Sequence, residues 1–220
     1  MKIGFIAIVV ILFAGTAYAA KDYVVPATWR YKITIEIETP EGIKSGSAVR
    51  EVRAWKNAAK IINPDVSPIE YEVIGEAVVV DLGKRGFLFG LMNDFTYLDV
   101  GNSLLAGDTN DMDSYKSLRV GDKSELKKDV PAFVIFSDIN NPQSVMGCGI
   151  SVMENVLGSG VKFKNIMIEI TDDPVTKYVE DILPWLSQYK GHRGYLGGDN
   201  SPPFRDPTGT YIRYSSFIKR

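Results

Sequence analysis

Between residues 31 and 38 apolar and polar side chains alternate without a break: Tyr31, Ile33, Ile35 and Ile37 against Lys32, Thr34, Glu36 and Glu38. A period of two puts the two sets on opposite faces of a strand, and β-branched isoleucine suits a pleated, half-buried surface. Thr39-Pro40-Glu41-Gly42 follows with turn chemistry: proline presets φ, and glycine accepts the left-handed conformation. The stretch 31–53, YKITIEIETPEGIKSGSAVREVR, therefore predicts a β-hairpin. A three-residue loop of Pro40, Glu41 and Gly42 sets Glu38 opposite Lys44, and Ile37, Ile35 and Ile33 opposite Ser45, Ser47 and Val49. That register leaves a shallow trough over the two serines, which another core element must fill.

A second hairpin is expected over 69–92, turning at Gly83-Lys84-Arg85-Gly86. Its apolar residues run continuously through Ala77-Val78-Val79-Val80 and Phe87-Leu88-Phe89, the pattern of strands buried on both faces. This places the second hairpin centrally and the first nearer an edge or outer face. Between the two, residues 54–68 read as a connection punctuated by Pro64 and Pro68. Residues 93–129 form a long polar, turn-rich stretch, with a turn or two of helix from Ser114 to Arg119.

Residues 131–136 predict a short buried strand. Asn141-Pro142 then offers an N-cap followed by a proline at the first helical position, with Met146, Ile150, Met153 and Leu157 on one face and Gly158 as the C-cap. In the strand 161–170 the apolar phase shifts from Val161 and Phe163 to Ile166, Ile168 and Ile170, which predicts a β-bulge near Lys164-Asn165. Asp172-Asp173-Pro174 predicts a second helix, capped by the acids, with Val175, Tyr178, Val179, Ile182 and Leu183 as its apolar stripe and Pro184 as its stop. This helix is the expected filler of the trough. The fold class is α+β: a mainly antiparallel sheet built from two hairpins plus further strands, with two short Pro-initiated helices packed on it. The expected domain spans 20–189. Residues 190–220 carry six Lys and Arg against Asp199 and Asp206, among glycines, prolines and aromatics, and read as an extended basic tail.

The N-terminus changes the picture. Lys2, the apolar run 3–15 and Ala17-Tyr18-Ala19 have the layout of a secretory signal peptide cleaved after Ala19, giving a periplasmic or secreted chain. The alternative is an uncleaved N-terminal membrane anchor; no later segment is expected to span a membrane. A net charge of −2 offers no footprint for nucleic acid. With one cysteine, Cys148, no intrachain disulfide is available.

Candidate chemistry is sparse. His192, the only histidine, lies in a Gly-rich polar stretch, and no Gly-x-Ser-x-Gly elbow is present. Cys148 falls within the predicted helix after Pro142, near its N-terminus, where a thiol is activated if exposed and a small buried residue if not. Asp108, Asn110, Asp111 and Asp113 form an oxygen-rich cluster suited to calcium, although Met112 and Arg119 break the EF-hand pattern. The tail residues Arg193, Tyr195, Phe204, Arg205, Tyr211, Arg213 and Tyr214 interleave cations with aromatics, a pattern suited to an anionic surface or another envelope protein. No cofactor motif is present.

Four stretches, ETPEGIKSGSAVREV (38–52), GEAVVVDLG (75–83), FSDINNPQSV (136–145) and EITDDPVTKYVEDILPWL (169–186), resemble an uncharacterised family of exported, mostly proteobacterial proteins. The resemblance implies export and a single domain. The family has no assigned activity, so no catalytic residue carries over. The expected function is a non-enzymatic binding or envelope-associated module; the alternative is a hydrolase or other enzyme with its site around 108–113.

Overall fold

A computed structural model describes residues 26–93, 96–105, 109, 111–191, 196 and 212–220. The hairpin strands β1 (Ala27–Thr39) and β2 (Gly42–Lys56) are long, and they are followed by β3 (Ile69–Glu76), β4 (Val78–Asp81) and β5 (Phe87–Gly90). Two short helices, α1 (Leu98–Ser103) and α2 (Met112–Lys116), precede β6 (Lys123–Glu125), β7 (Phe133–Phe136) and β8 (Val145–Gly147). Helix α3 (Met153–Leu157), β9 (Lys162–Ile170), α4 (Val179–Ile182), α5 (Tyr214–Phe217) and β10 (Ile218–Lys219) complete the described α-helices and strands, and short 3-10 turns, the longest at Pro184–Tyr189, lie between them. The strands form two antiparallel sheets, one in the order β10-β3-β2-β1-β9-β6 and the other β4-β5-β7-β8. The fold is thus α+β and mainly antiparallel, as the alternation and turn chemistry imply.

The two sheets stack. Ile33, Ile35 and Ile37 of β1 meet Val78, Val80 and Leu88 of the smaller sheet in one apolar core, closed at its ends by Met112, Tyr115, Met153 and Leu157. The alternate residues Val79, Phe89 and Val134 face the other way, into a second core with Val179, Leu183, Trp185, Leu186 and Phe217. Strands β4, β5 and β7 are therefore covered on both faces, which is why Val78–Val80, Phe87–Phe89 and Phe133–Phe136 are apolar runs. The outer face of the larger sheet is wet, and its polar residues pair across strands, as in Lys32–Glu169 at 3.5 Å and Lys164–Glu36 at 2.9 Å.

The first hairpin differs from its expected place and register. It lies at the centre of the larger sheet, because β3 extends it on one side and β9 on the other. Alternation reports one solvated face, and a central antiparallel strand can have one. The loop contains two residues, Pro40 and Glu41; Gly42, at φ +111°, already pairs with Thr39. One residue fewer in the loop slips the register by one and exchanges the faces of β2. Ile37, Ile35 and Ile33 stand opposite Lys44, Gly46 and Ala48, while Ser45 and Ser47 are exposed. The predicted trough over the serines does not exist. Its counterpart over Gly46 is filled by β4, not by a helix from 175–183: a Cβ at Gly46 would lie 1.9 Å from the Val79 carbonyl oxygen.

The bulge in β9 is where the phase shift predicts it, with Glu36 opposite Asn165 and Ile37 opposite Phe163, so Lys164 is the extra residue. The helix expected after Pro142 is broken up. Asn141 caps a single 3-10 turn at Pro142–Ser144, accepting the Gln143 N–H at 3.0 Å. The chain then extends as β8 and turns again at Ile150–Val152 before α3, which ends at Gly158. Gly147 and Gly149 weaken a continuous helix here, and β7 offers a strand partner instead. Met146 and Ile150 are accordingly exposed, while Met153 and Leu157 are buried.

The helix expected after Pro174 shrinks to α4. Asp172 and Asp173 do not cap it. Its cap comes from Glu76, whose Oε2 accepts the N–H groups of Tyr178 at 2.7 Å and Val179 at 2.9 Å. Within the span expected as a tail, residues 212–220 pack on the domain: Ile212, Phe217 and Ile218 are buried in the second core, and β10 pairs with β3. Arg220 reaches Glu180 at 2.7 Å and Glu76 at 3.5 Å. Among the described residues no helix is long and apolar enough to cross a membrane.

Candidate functional site

An apolar groove of about 440 Å³ opens where the lead-in to β7 meets the turn after β8, lined by Val130, Pro131, Ala132, Phe133, Ile150 and Ser151. Its walls follow from local sequence. Pro131 donates no backbone hydrogen bond, and Ala132 offers its carbonyl to the Leu91 N–H at 2.9 Å, so this segment is held as an extended lead-in to the sheet. The Cys148 N–H bonds the Phe133 carbonyl at 2.8 Å and holds the opposite wall. Gly149 then turns the chain, and the segment exposes Ile150, Val152 and Val156 while α3 buries Met153 and Leu157. The surface is apolar, with the Ser151 hydroxyl as its one side-chain hydrogen-bonding group. It can take an apolar ligand or side chain. Sequence reasoning placed Ile150 on a buried helical face; the signal it passed over was Gly147-Cys148-Gly149, two helix-weakening glycines in three residues.

Cys148 is not in a helix. It is buried in the inter-sheet core, and burial pushes its thiol up to about 11. A thiol so protonated and enclosed is a poor nucleophile. Its reaction with a water-soluble disulfide reagent at pH 8 is expected to be at least about 100-fold slower in the native protein than in the urea-unfolded chain. Native labelling at the unfolded rate would contradict the burial.

Of the four candidate calcium ligands, Asp108 and Asn110 lie outside the described residues. Asp111 is the N-cap of α2: its carboxylate accepts the Asp113 N–H at 3.0 Å, the Ser114 N–H at 3.2 Å and the Ser114 hydroxyl at 2.7 Å. The Ser114 hydroxyl, with these N–H groups, holds it below the usual carboxylate range. Asp113 is exposed and pairs with Lys116 at 3.1 Å. Both acids line a cleft of about 230 Å³ whose opposite wall carries Lys56 and Lys60. Among the described residues no three His, Cys, Asp or Glu side chains are grouped to hold a metal ion. Of the seven tail residues, Arg193, Tyr195, Phe204, Arg205 and Tyr211 lie outside the described residues, as does His192. Arg213 is exposed at the start of α5, and the half-buried Tyr214 packs against the second core, its hydroxyl donating to Glu180 at 3.4 Å.

The strongest electrostatic feature is internal. Arg50 and Asp99 are both fully buried and paired at 3.2 Å. The Tyr31 hydroxyl donates to the same Asp99 oxygen at 2.8 Å and lies 3.1 Å from the Thr96 carbonyl, while Arg50 Nε donates to the Glu76 carbonyl at 3.1 Å. Burial pushes the Asp99 carboxyl up to about 6 against the pull of Arg50 and Tyr31, and raises the Tyr31 phenol well above its usual range. Gly75 makes room: a Cβ there would stand 2.7 Å from Arg50 Cγ. This cluster ties β1, β2, β3 and α1 together. The sequence signal for it was an arginine in phase with Ala48, Val52 and Ala54, the inward row of β2.

The fold and groove define an α+β protein of two stacked antiparallel sheets with an apolar surface groove. No family model, no curated protein and no solved structure matches the chain.

Proposed function

We propose that this protein is an exported, envelope-associated binding module and that the groove beside Ile150 is its binding surface. The observation that carries this reading is the contrast between two concavities. The larger is apolar and lined in part by exposed Ile150. The smaller holds acids already engaged, Asp111 as a helix cap and Asp113 with Lys116. Apolar surface left open beside a preformed groove is the usual mark of a ligand or partner site. Export is supported by the signal-like layout of residues 1–19 and by the resemblance to an exported family.

Complementation of a deletion strain tests the reading against the enzymatic alternative. Ile150→Asp, at a 45 % exposed position, is expected to accumulate normally and fail to complement. The Asp111→Ala/Asp113→Ala double variant is expected to complement despite losing about 1 kcal/mol of cap stabilisation. The reverse pattern, with Ile150→Asp functional and the double alanine variant inactive at normal abundance, would overturn the reading.

A further inference from the structure

Strand β2 has two edges, and one of them is only partly used. On the first it pairs with β1 from Gly42 opposite Thr39 to Ala54 opposite Ala27. On the second, β3 pairs with residues 51–56 alone. Just past that ladder Thr176 stands in for a strand at one position: the Val49 N–H donates to the Thr176 hydroxyl at 2.8 Å, and the Val49 carbonyl accepts the Thr176 N–H at 3.2 Å. The main-chain groups of Val49 therefore point away from β1. The period of an antiparallel ladder repeats that direction at Ser47, Ser45 and Ile43. Among the described residues no hydrogen bond meets these three on that side. The chain that leaves β3 does not continue along this edge. It becomes β4 and crosses the inner face of β2 at Gly46.

A row of unpaired N–H and C=O groups is a template for an added strand. The usual guards of such an edge are missing here. Residues 42–48 contain no proline, the β1–β2 register has no bulge, and the side chains on the wet face, Ile43, Ser45 and Ser47, are exposed and uncharged. The order of side-chain sizes says what fits the row. Two such rows laid antiparallel about Ser45 put Ile43 of each copy opposite Ser47 of the other, Ser45 opposite Ser45, and, on the other face, Lys44 opposite Gly46. Large meets small on both faces, and no like charges stand opposite. Glu36, beside Ser45 on β1, is already paired with Lys164 at 2.9 Å. The register also stops in the right place. It brings Glu41 of one copy level with Val49 of the other, so the hairpin turn at Pro40 and Glu41 ends the added ladder where Thr176 already occupies the edge. We propose that the occupant of this edge is a second copy of the chain: two molecules join edge to edge about a two-fold axis at Ser45, and their larger sheets become one continuous antiparallel sheet. The contact is separate from the groove at Ile150 and does not depend on it.

The test uses the protein in the form the cell accumulates, in analytical ultracentrifugation over a range of concentrations. A reversible monomer–dimer equilibrium is expected. Ser45→Lys sets two lysines face to face across the axis, and Ser45→Glu sets two glutamates. Each is expected to weaken the dimer about fivefold or more, and an equimolar mixture of the two variants to regain the native affinity, because opposite charges then pair. Position 45 is exposed in the single chain, so both variants should keep its melting temperature in dilute solution. Introduced cysteines read the register. Cys148, the only native cysteine, is buried, so the new thiol is the one available for coupling. Ser45→Cys is expected to form an intermolecular disulfide on mild oxidation. Ser47→Cys, also exposed, should not, since its two copies stand roughly 13 Å apart along the ladder, beyond the reach of a disulfide. A chain that stays monomeric at every concentration, like-charged variants that dimerise as well as the native chain, or equal cross-linking at 45 and 47 would each overturn the proposal. So would a monomer whose Ser45→Cys thiol couples to a different envelope protein, by giving the edge another occupant. Ile150→Asp should dimerise like the native protein, so failure of the groove reading and failure of this one are distinguishable.

Discussion

Arg50→Met is expected to destabilise the fold by about 3–5 kcal/mol at pH 7.5, the loss typical when one partner of a buried ion pair is removed. Arg50 is the cation that faces the buried Asp99 carboxylate, at 3.2 Å, beside the neutral Tyr31 hydroxyl. The pH dependence separates this cause from simple loss of packing. In the native protein the Asp99 pKa is raised from 3.8 to about 6. An acid whose folded pKa stands above its unfolded value holds its proton more tightly when folded. Its contribution is therefore most favourable below about pH 4, and about 3 kcal/mol is lost as pH rises to 6, with no further change above. Without Arg50 the folded pKa climbs further, so the falling window extends beyond neutrality. The penalty measured by urea unfolding should thus be larger at pH 7.5 than at pH 4.5. Adding Asp99→Asn to Arg50→Met should recover much of the loss at pH 7.5, since no charge is then left buried. Equal penalties at the two pH values would show that Asp99 is not the group responsible.

Gly46→Ala is expected to cost at least about 3 kcal/mol, at the upper end of overpacking effects, and to lower the melting temperature by about 6–12 °C for a domain of this size. The added Cβ would meet backbone, 1.9 Å from the Val79 oxygen and 2.6 Å from its carbonyl carbon. Backbone in a paired strand cannot swing aside as a side-chain tip can, so relief requires the two sheets to separate. Ser45→Ala and Ser47→Ala, at exposed neighbours on the opposite face, are expected to stay within about 0.5 kcal/mol. The comparison also tests register. With a three-residue hairpin loop the serines would be buried and Gly46 exposed, and the pattern of losses would invert.

Much of the fold follows from local pattern. The alternation in β1, the both-face burial of β4 and β5, the bulge at Lys164, the cap at Asn141 and the stop at Gly158 are each dictated by a few neighbouring residues. The two predicted helices were less legible. Gly147 and Gly149 leave the first with too little intrinsic preference to resist pairing with β7, and the second is capped not by its adjacent acids but by Glu76, about a hundred positions earlier in the chain. The candidate site was legible only in part. Asp111 and Asp113 do share a cleft, but their partners are the α2 backbone and Lys116. The groove walls come from segments near 131 and 150 that carry no motif, and local sequence does not reveal that they meet.

Periodicity determines which side chains leave water and whether one face or both must be covered, because that depends only on a strand's own residues. It does not say what provides the cover. β4, with its apolar run Val78–Val80, is a terminal strand of its sheet, and the half-polar β1 is central in its own. Burial on both faces reports position between layers, not position along a sheet. The close approach of β4 to Gly46, the pairing of Arg50 with Asp99 and the docking of residues 212–220 against β3 were decided by long-range packing. These contacts join segments tens to well over a hundred residues apart, and their energies depend on the shape and charge of surfaces that exist only once the sheets have stacked.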